Sequence, residues 1–421
     1  MRSTGRALRL IPIAALLLLL TSCEEPDNMA YVTAMGIDKA EDGYLYTIQF
    51  AQPTKISGGA SEEGGSGENI VENISVEAPT LYSAINIADT IISKDLSLSH
   101  AKVFIVSEEV AAEGLSPLND VIIRNNDIRA DMHIAVAPDA GKYLEDVKPT
   151  LELNPVKYYQ LTYENKNGSV IPQNTAFDFY SACLSGSKDC LLPLAGIAET
   201  EKEADKPDES VDNLSQEKAE SNESGFEYAT KNYYAGQTGK KLSNKSEVLG
   251  SAVFKGDRYI GRLGSTETEL HNILMDHFTV MNISFRSDTE PEHPLTVRVE
   301  EKTVPVFDID INRKHVTIKV ELFSELLSAP ASYKTSHSEE MINKELSEMV
   351  NDAAEELLEK TYSGMNADIL GIRGRSKRKF MTNKDYDEFS RSFRPEEWSF
   401  EVRTDLKIKR TGMTYFYLLR N

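Results

Sequence analysis

Three cysteines and seven histidines are the side chains of this 421-residue sequence best suited to covalent or metal chemistry. Only one stands in a reactive pattern. Cys23 closes the run Leu20-Thr21-Ser22-Cys23, which has a branched apolar residue three positions before the cysteine and small residues between. Ahead of it, Met1 to Arg9 carries Arg2, Arg6 and Arg9 with no acid, and Leu10 to Leu20 is apolar. A basic start, an apolar run and a small-residue site make an export signal. The apolar run is about half of the roughly twenty residues a spanning helix needs. An ordinary secretory signal needs no cysteine after its cut, whereas a lipobox does: a diacylglyceryl group alkylates the thiol before cleavage at its amino side. Acyl chains such as palmitate contribute roughly 0.8 kcal/mol per buried CH₂, so two anchor durably where one is reversible. Residues 1–22 are read as signal peptide and 23–30 as a lipidated tether.

The other reactive side chains form no set. Cys183 and Cys190 close an eight-residue loop, and export permits a disulfide worth about 2.5 kcal/mol in the chain-entropy account; two free thiols fit the sequence equally well. His271 and His277 are six apart, not the four that put two imidazoles on one helical face for zinc. There is no Gly-x-Ser-x-Gly elbow, and no cysteine has a motif partner for nucleophilic work. Gly256-x₄-Gly261-Arg262-Leu263 has the spacing of a phosphate-binding loop. It lacks the lysine and the hydroxyl, and it falls in a hairpin rather than a strand-to-helix turn. The reading is a non-enzyme with no metal and no cofactor beyond the lipid on Cys23.

Charge sets the next limits. The chain carries 46 basic and 67 acidic residues, a formal charge of −21. That balance opposes nucleic-acid binding and overall adhesion to anionic lipid. No stretch after Leu20 approaches eighteen apolar residues, so the body contains no spanning segment by this measure.

The elements that must position any site follow from periodicity. Tyr31 to Asp38 and Tyr44 to Ala51 read as strands of a hairpin about Glu41-Asp42-Gly43, and Ser57 to Asn69 as a solvated loop. Thr80 caps a helix from Leu81 to Ser93, with Leu81, Ala84, Ile85, Ala88, Ile91 and Ile92 on one face. Ala101 to Val106 and Met132 to Ala137 read as buried strands flanking a polar helix, Leu118 to Asn126. This alternation predicts an N-terminal α/β domain over 31–165. A middle domain over 166–265 contains the insert from Glu199 to Ser224, with ten acids, three lysines and no aromatic residue. Such a segment buries too little apolar surface to offset chain entropy and reads as disordered. Glu247 to Phe254 and Tyr259 to Leu263 form a second hairpin. The C-terminal domain, 266–421, is α+β. It has a helix over Glu267 to Phe278, strands at Leu295 to Val299 and His315 to Leu322, and a long helix from Ser338 to Tyr362. Ile342, Leu346, Met349, Val350, Ala353, Leu357 and Leu358 form that helix's apolar stripe. Phe400, Val402, Leu406 and Ile408 alternate along a closing strand. The fold class is thus α/β and α+β, three mixed domains of small sheets packed by helices.

Two further features invite a contact reading. His100, between a helix and a buried strand, reads first as a structural histidine and alternatively as a partner-contact or pH-responsive residue. Gly371 to Lys379 is a basic run on an acidic protein. It reads as a solvated loop, or alternatively as a contact for anionic headgroups or an acidic partner.

In order along the chain, the lipobox is followed by Gly36-Ile37-Asp38, Ser99-His100-Ala101-Lys102-Val103-Phe104-Ile105-Val106 and Ile123-Arg124-Asn125-Asn126-Asp127-Ile128-Arg129. Then come Gly250-Ser251-Ala252-Val253-Phe254-Lys255 with Gly261-Arg262-Leu263, and Ala367-Asp368-Ile369-Leu370-Gly371 with Trp398 downstream. This series resembles the Ger(x)C family, lipoprotein C subunits of bacterial spore germinant receptors. The acidic insert is longer than that family's pattern, and Glu24-Glu25 stands where tryptophan and aspartate are common. The resemblance implies a lipid-anchored, three-domain body on the extracytoplasmic face of the spore inner membrane. There it would act with two integral-membrane subunits, of A and B type, in the response to small nutrients. It carries no catalytic residue. His100, Lys102, Arg124, Asp368, Arg375, Lys377 and Arg378 are the candidate partner contacts. The rival reading, a solute-binding lipoprotein of a transporter, calls for two similar lobes about a cleft, and the pattern shows no such duplication.

Overall fold

The computed structural model describes residues 29–51, 71–149, 152, 154–165, 170–198, 227–228, 231–238, 244–287, 290–328 and 337–410. The signal, Cys23, the 57–69 loop and the acidic insert lie outside them.

The expected hairpin opens the fold. Strand β1 (Met29–Ala40) pairs antiparallel with β2 (Gly43–Ala51), and the two close at Ala40 opposite Gly43. An antiparallel edge strand, β3 (Val71–Ala78), follows. Its Glu72, Asn73, Ser75 and Glu77 dilute the apolar signal of Ile74 and Val76, which is why periodicity does not find it. Helix α1 (Leu81–Ile92) starts at Thr80, whose side chain accepts from the Ser83 amide. Leu81, Ala84 and Ala88 are buried, but Ile91 is 62% exposed. It falls on the flank of the stripe, so the buried face is narrower than the sequence suggests.

Short β4 (Asp95–Ser97) lies parallel beside the first residues of β1. Strands β5 (Val103–Ser107), β6 (His133–Ala137) and β7 (Leu191–Ile197) extend the sheet from β1, each parallel to its neighbour. β5 and β6 are buried along their whole length, as strands of a parallel sheet covered on both faces must be. One face packs against α1, α2 (Glu108–Glu113), α3 (Ser116–Arg124) and a later helix. The other carries α4 (Ala140–Asp146) and α5 (Pro155–Tyr163). The later helix, α6 (Ala176–Ser185), starts with a capping box between Thr175 and Asp178.

β8 (Glu227–Tyr228) belongs to a second sheet, whereas β9 (Ser246–Lys255) and β10 (Arg258–Leu263) form the expected second hairpin and join the first. The order is β10-β9-β7-β6-β5-β1-β2-β3, with β4 beside β1. Residues assigned by sequence to a middle domain therefore continue the N-terminal sheet. Local alternation identifies a strand but not the sheet it joins.

The second sheet has the order β14-β13-β12-β11-β8. Before it comes α7 (Ser265–Met275); its strands are β11 (Val280–Ser287), β12 (Glu290–Asp310), β13 (His315–Ser328) and β14 (Ser399–Arg410). Only β13 and β14 pair in parallel, across a connection that contains the long helix α8 (His337–Leu358). Ile342, Leu346, Met349, Val350, Leu357 and Leu358 of its stripe are all buried against the sheet. Gly371 to Lys379 is not the expected loop. It forms α9 (Ile372–Arg375) and a 3₁₀ turn at Ser376–Lys379, followed by α10 (Asn383–Ser392). Phe389, Phe393 and Trp398 pack ring against ring beneath them. The architecture is mixed and multidomain: two sheets, each packed by helices.

Candidate functional site

Parallel strands put all their leading ends on one side of a sheet. Here β1, β5, β6 and β7 begin on that side, so the segments entering them, around Tyr31, Ser97–Lys102, Arg124–Met132 and Ser187–Cys190, form one rim. Side-chain and backbone contacts join them in a continuous row. The Tyr31 ring meets the exposed His100 edge-on, with centroids 4.8 Å apart, and Ser99 Oγ lies 3.0 Å from His100 Nδ1. The Lys102 amide donates to the Thr33 carbonyl at 2.9 Å, and the His133 amide to the Lys102 carbonyl at 2.9 Å. Lys102 Nζ lies 3.9 Å from Glu164. Arg129 binds both carboxylate oxygens of Asp131 at 2.9 Å. That guanidinium, helped by Lys102, holds the Asp131 carboxyl below the usual range.

Behind this row His133 stacks on Tyr163, with centroids 5.6 Å apart. Its Nδ1–H donates to the Asn174 carbonyl at 3.3 Å, since a carbonyl can only accept. Burial pulls its pKa down, so the ring is neutral and serves as packing. Asn174 in turn donates to the Leu191 carbonyl at 2.8 Å and lies 3.5 Å from Lys188 Nζ.

At Ser187–Cys190 the C-terminal part of the chain closes the row. The Asp189 amide donates to the Asp368 carbonyl at 3.0 Å, and the Asp368 amide donates back to Asp189 Oδ2 at 2.8 Å. Asp189 Oδ1 accepts from the Gly256 amide at 3.0 Å, which ties in the β9–β10 turn. Asp368 Oδ1 accepts from Tyr362 at 2.5 Å and from the Ile372 amide at 2.7 Å, and Oδ2 accepts from the Arg373 amide at 2.9 Å. One carboxylate thus holds the start of α9 to the π-helical turn Glu359–Gly364 that continues the long helix. Burial pushes it up to about 6 in spite of these donors. Two glycines allow the approach. Gly371 is left-handed at φ +67, and a Cβ there would lie 3.1 Å from Lys188 Cβ. At Gly374, whose amide donates to the Ser187 carbonyl at 2.9 Å, a Cβ would lie 2.9 Å from that same oxygen.

The structure therefore brings His100, Lys102 and the basic run to one rim, but the candidates are not equal. Asp368 is fully buried. It is a latch between the two halves of the protein, not a surface for a partner. The guanidinium of Arg375 is occupied too: Nε donates to the Leu370 carbonyl at 2.9 Å, and the group lies 3.9 Å above the Phe307 ring. Arg124 is exposed and paired with Asp120 at 2.7 Å. Lys377 and Arg378 remain exposed, and so does Lys379. Cys183 and Cys190 are free thiols; Cys183 Sγ donates to the Gly256 carbonyl at 3.3 Å, and burial pushes both thiols up to about 12. Asp38 lies at the far end of β1. It accepts from the Ala140 and Gly141 amides at 2.8 Å, anchoring the start of α4.

Asp189, Tyr362, Lys188 and Arg129 complete the rim and latch without being singled out by sequence. Nothing in a single sequence pairs the Asp189 carboxylate with a backbone amide 179 positions away. Among the described residues, no three or more His, Cys, Asp or Glu side chains gather as for a metal, and no helix is long and apolar enough to cross a membrane.

Residues 23–197 match the family described as "Spore germination protein N-terminal domain", and residues 249–412 match "Spore germination B3/GerAC like, C-terminal". The protein YfkR of Bacillus subtilis is 26% identical over 144 residues, 33% of this chain and 38% of its own length. Spore germination protein KC of the same organism is 28% identical over 115 residues, 27% of this chain and 28% of its own length. The matches thus span well under half of either relative. The crystal structure of the GerBC protein aligns with 89% of this chain and 96% of its own, at 13% identity and a TM-score of 0.48.

Proposed function

The chain belongs to the Ger(x)C family of spore germination proteins, and on that premise we propose that it is the lipid-anchored C subunit of a nutrient germinant receptor. It works by contact rather than by catalysis. The diacylglyceryl group on Cys23 holds it at the extracytoplasmic face of the spore inner membrane. The rim from His100 to Lys188 faces two integral-membrane subunits of A and B type. The observation that carries the reading is the convergence of separate family segments on one rim. Ser99–Lys102, Ile123–Arg129 and Ala367–Gly371 are distant in sequence, yet all meet at the leading ends of the parallel strands or lie directly beneath them.

Position supports the anchoring half. β1 starts at Met29, six residues after Cys23, which is at most about 20 Å of chain. A tether that short keeps the rim near the headgroups and raises the subunit's local concentration for partners in the same membrane. A Cys23→Ala strain tests it: with the protein made at normal levels, its membrane-bound fraction should fall at least tenfold and nutrient-triggered germination should slow. Normal membrane retention together with normal germination on every nutrient would refute the anchoring.

A further inference from the structure

We propose that the turn from Lys377 to Met381 is a second membrane contact, which lays three cations on anionic headgroups and one apolar side chain between them. From Gly371 to Lys384 the chain has six basic residues and no acid, on a protein whose formal charge is −21. Arg375 is taken up by Leu370 and Phe307. Lys377, Arg378 and Lys379 project from the 3₁₀ turn and are exposed. Lys377 Nζ lies 5.5 Å from the Tyr386 ring centre, and Phe380 packs on Phe389, so the turn is held firmly from beneath. Met381 follows, 101% exposed and the most exposed of the large apolar residues among those described.

A fully hydrated methionine beside three cations suits a surface that is anionic outside and apolar just below. An acidic protein would satisfy the cations alone. The placement favours the bilayer further. The turn is docked through Gly371 and Gly374 onto Lys188 and Ser187, at the rim where β1 emerges from the tether. The inference rests on the anchoring reading only for why that rim faces a membrane. With lipid at one point and cations at another, the body would be fixed in orientation rather than swinging on its tether, and the acidic remainder would be turned away.

The test uses the full chain carrying Cys23→Ser, so that no acyl chain contributes, on vesicles of phosphatidylcholine with or without phosphatidylglycerol. The quantity read is the difference between the two vesicle types, which an uncleaved leader alters equally in every variant; failure of the anchoring reading therefore leaves it unchanged. Each basic residue at an anionic surface is worth roughly 1 kcal/mol. Lys377→Gln, Arg378→Gln and Lys379→Gln together should therefore weaken binding to anionic vesicles on the order of a hundredfold. Met381→Ser, which keeps every charge, should weaken it about tenfold. Equal binding of the wild type to both vesicle types, or of the triple variant and the wild type to anionic vesicles, overturns the proposal. So does a triple variant that loses affinity for polyglutamate but keeps it for vesicles, which would assign the turn to an acidic protein.

Discussion

Replacing Asp368 by Ala should destabilise the protein by about 3–5 kcal/mol at pH 5, because it leaves the Ile372 and Arg373 amides and the Tyr362 hydroxyl buried without their acceptor. The cost depends on pH, and the sign follows from the raised pKa. The folded protein keeps a proton on Asp368 up to about pH 6, whereas the unfolded chain releases it near 3.8. The contribution of this carboxyl is therefore full below about pH 4 and is lost as pH rises through 6. At roughly 1.4 kcal/mol per pH unit, that window is worth about 3 kcal/mol. Between pH 5 and 8 only the last pH unit of that window remains, so the gap between wild type and variant should narrow there by about 1.4 kcal/mol. Urea unfolding of both proteins across this range measures it. A gap that is constant or widens with pH contradicts a buried, proton-holding latch.

A second large effect is expected at Gly374. In Gly374→Val the new Cβ would start 2.9 Å from the Ser187 carbonyl oxygen, closer than real contacts allow. The start of α9 must then lift, and the Gly374 to Ser187 hydrogen bond breaks. Overpacking and the lost bond together cost roughly 2–4 kcal/mol. Because α9 lies on the surface, detachment should precede global unfolding. Trypsin should cut between Arg373 and Lys379 at least tenfold faster, with the far-UV spectrum retained. Unchanged cleavage would mean that the segment is not held where the two glycines place it.

These two positions show what was legible in the sequence and what was not. Both hairpins, α1 with its Thr80 cap, the buried parallel strands and the apolar stripe of α8 follow from local periodicity, which short-range sterics and burial impose directly. The joining of β7, β9 and β10 to the first sheet does not, because strand partners are chosen by contacts distant in sequence. The basic run misled for a related reason. Glycines and cations suggest a loop, but Asp368, four residues before Ile372, supplies an acceptor that starts a helix. The same carboxylate looked like a surface contact because an aspartate's type says nothing of its burial. His100 and Lys102 were visible as candidates, but their rim was not, since it exists only once four strands lie side by side.

The central claim is that this rim meets integral-membrane subunits. It is tested most directly by isolating the complex from detergent-solubilised spore membranes that carry His100→Glu and Arg124→Glu. Both side chains are exposed, so the fold should persist, and the Cys23 tether is untouched, so the protein should still sediment with membranes. The account predicts at least a tenfold drop in the integral-membrane subunits co-isolated with it, and slower nutrient germination. Co-isolation at the wild-type level from a variant that is folded and membrane-bound would contradict it.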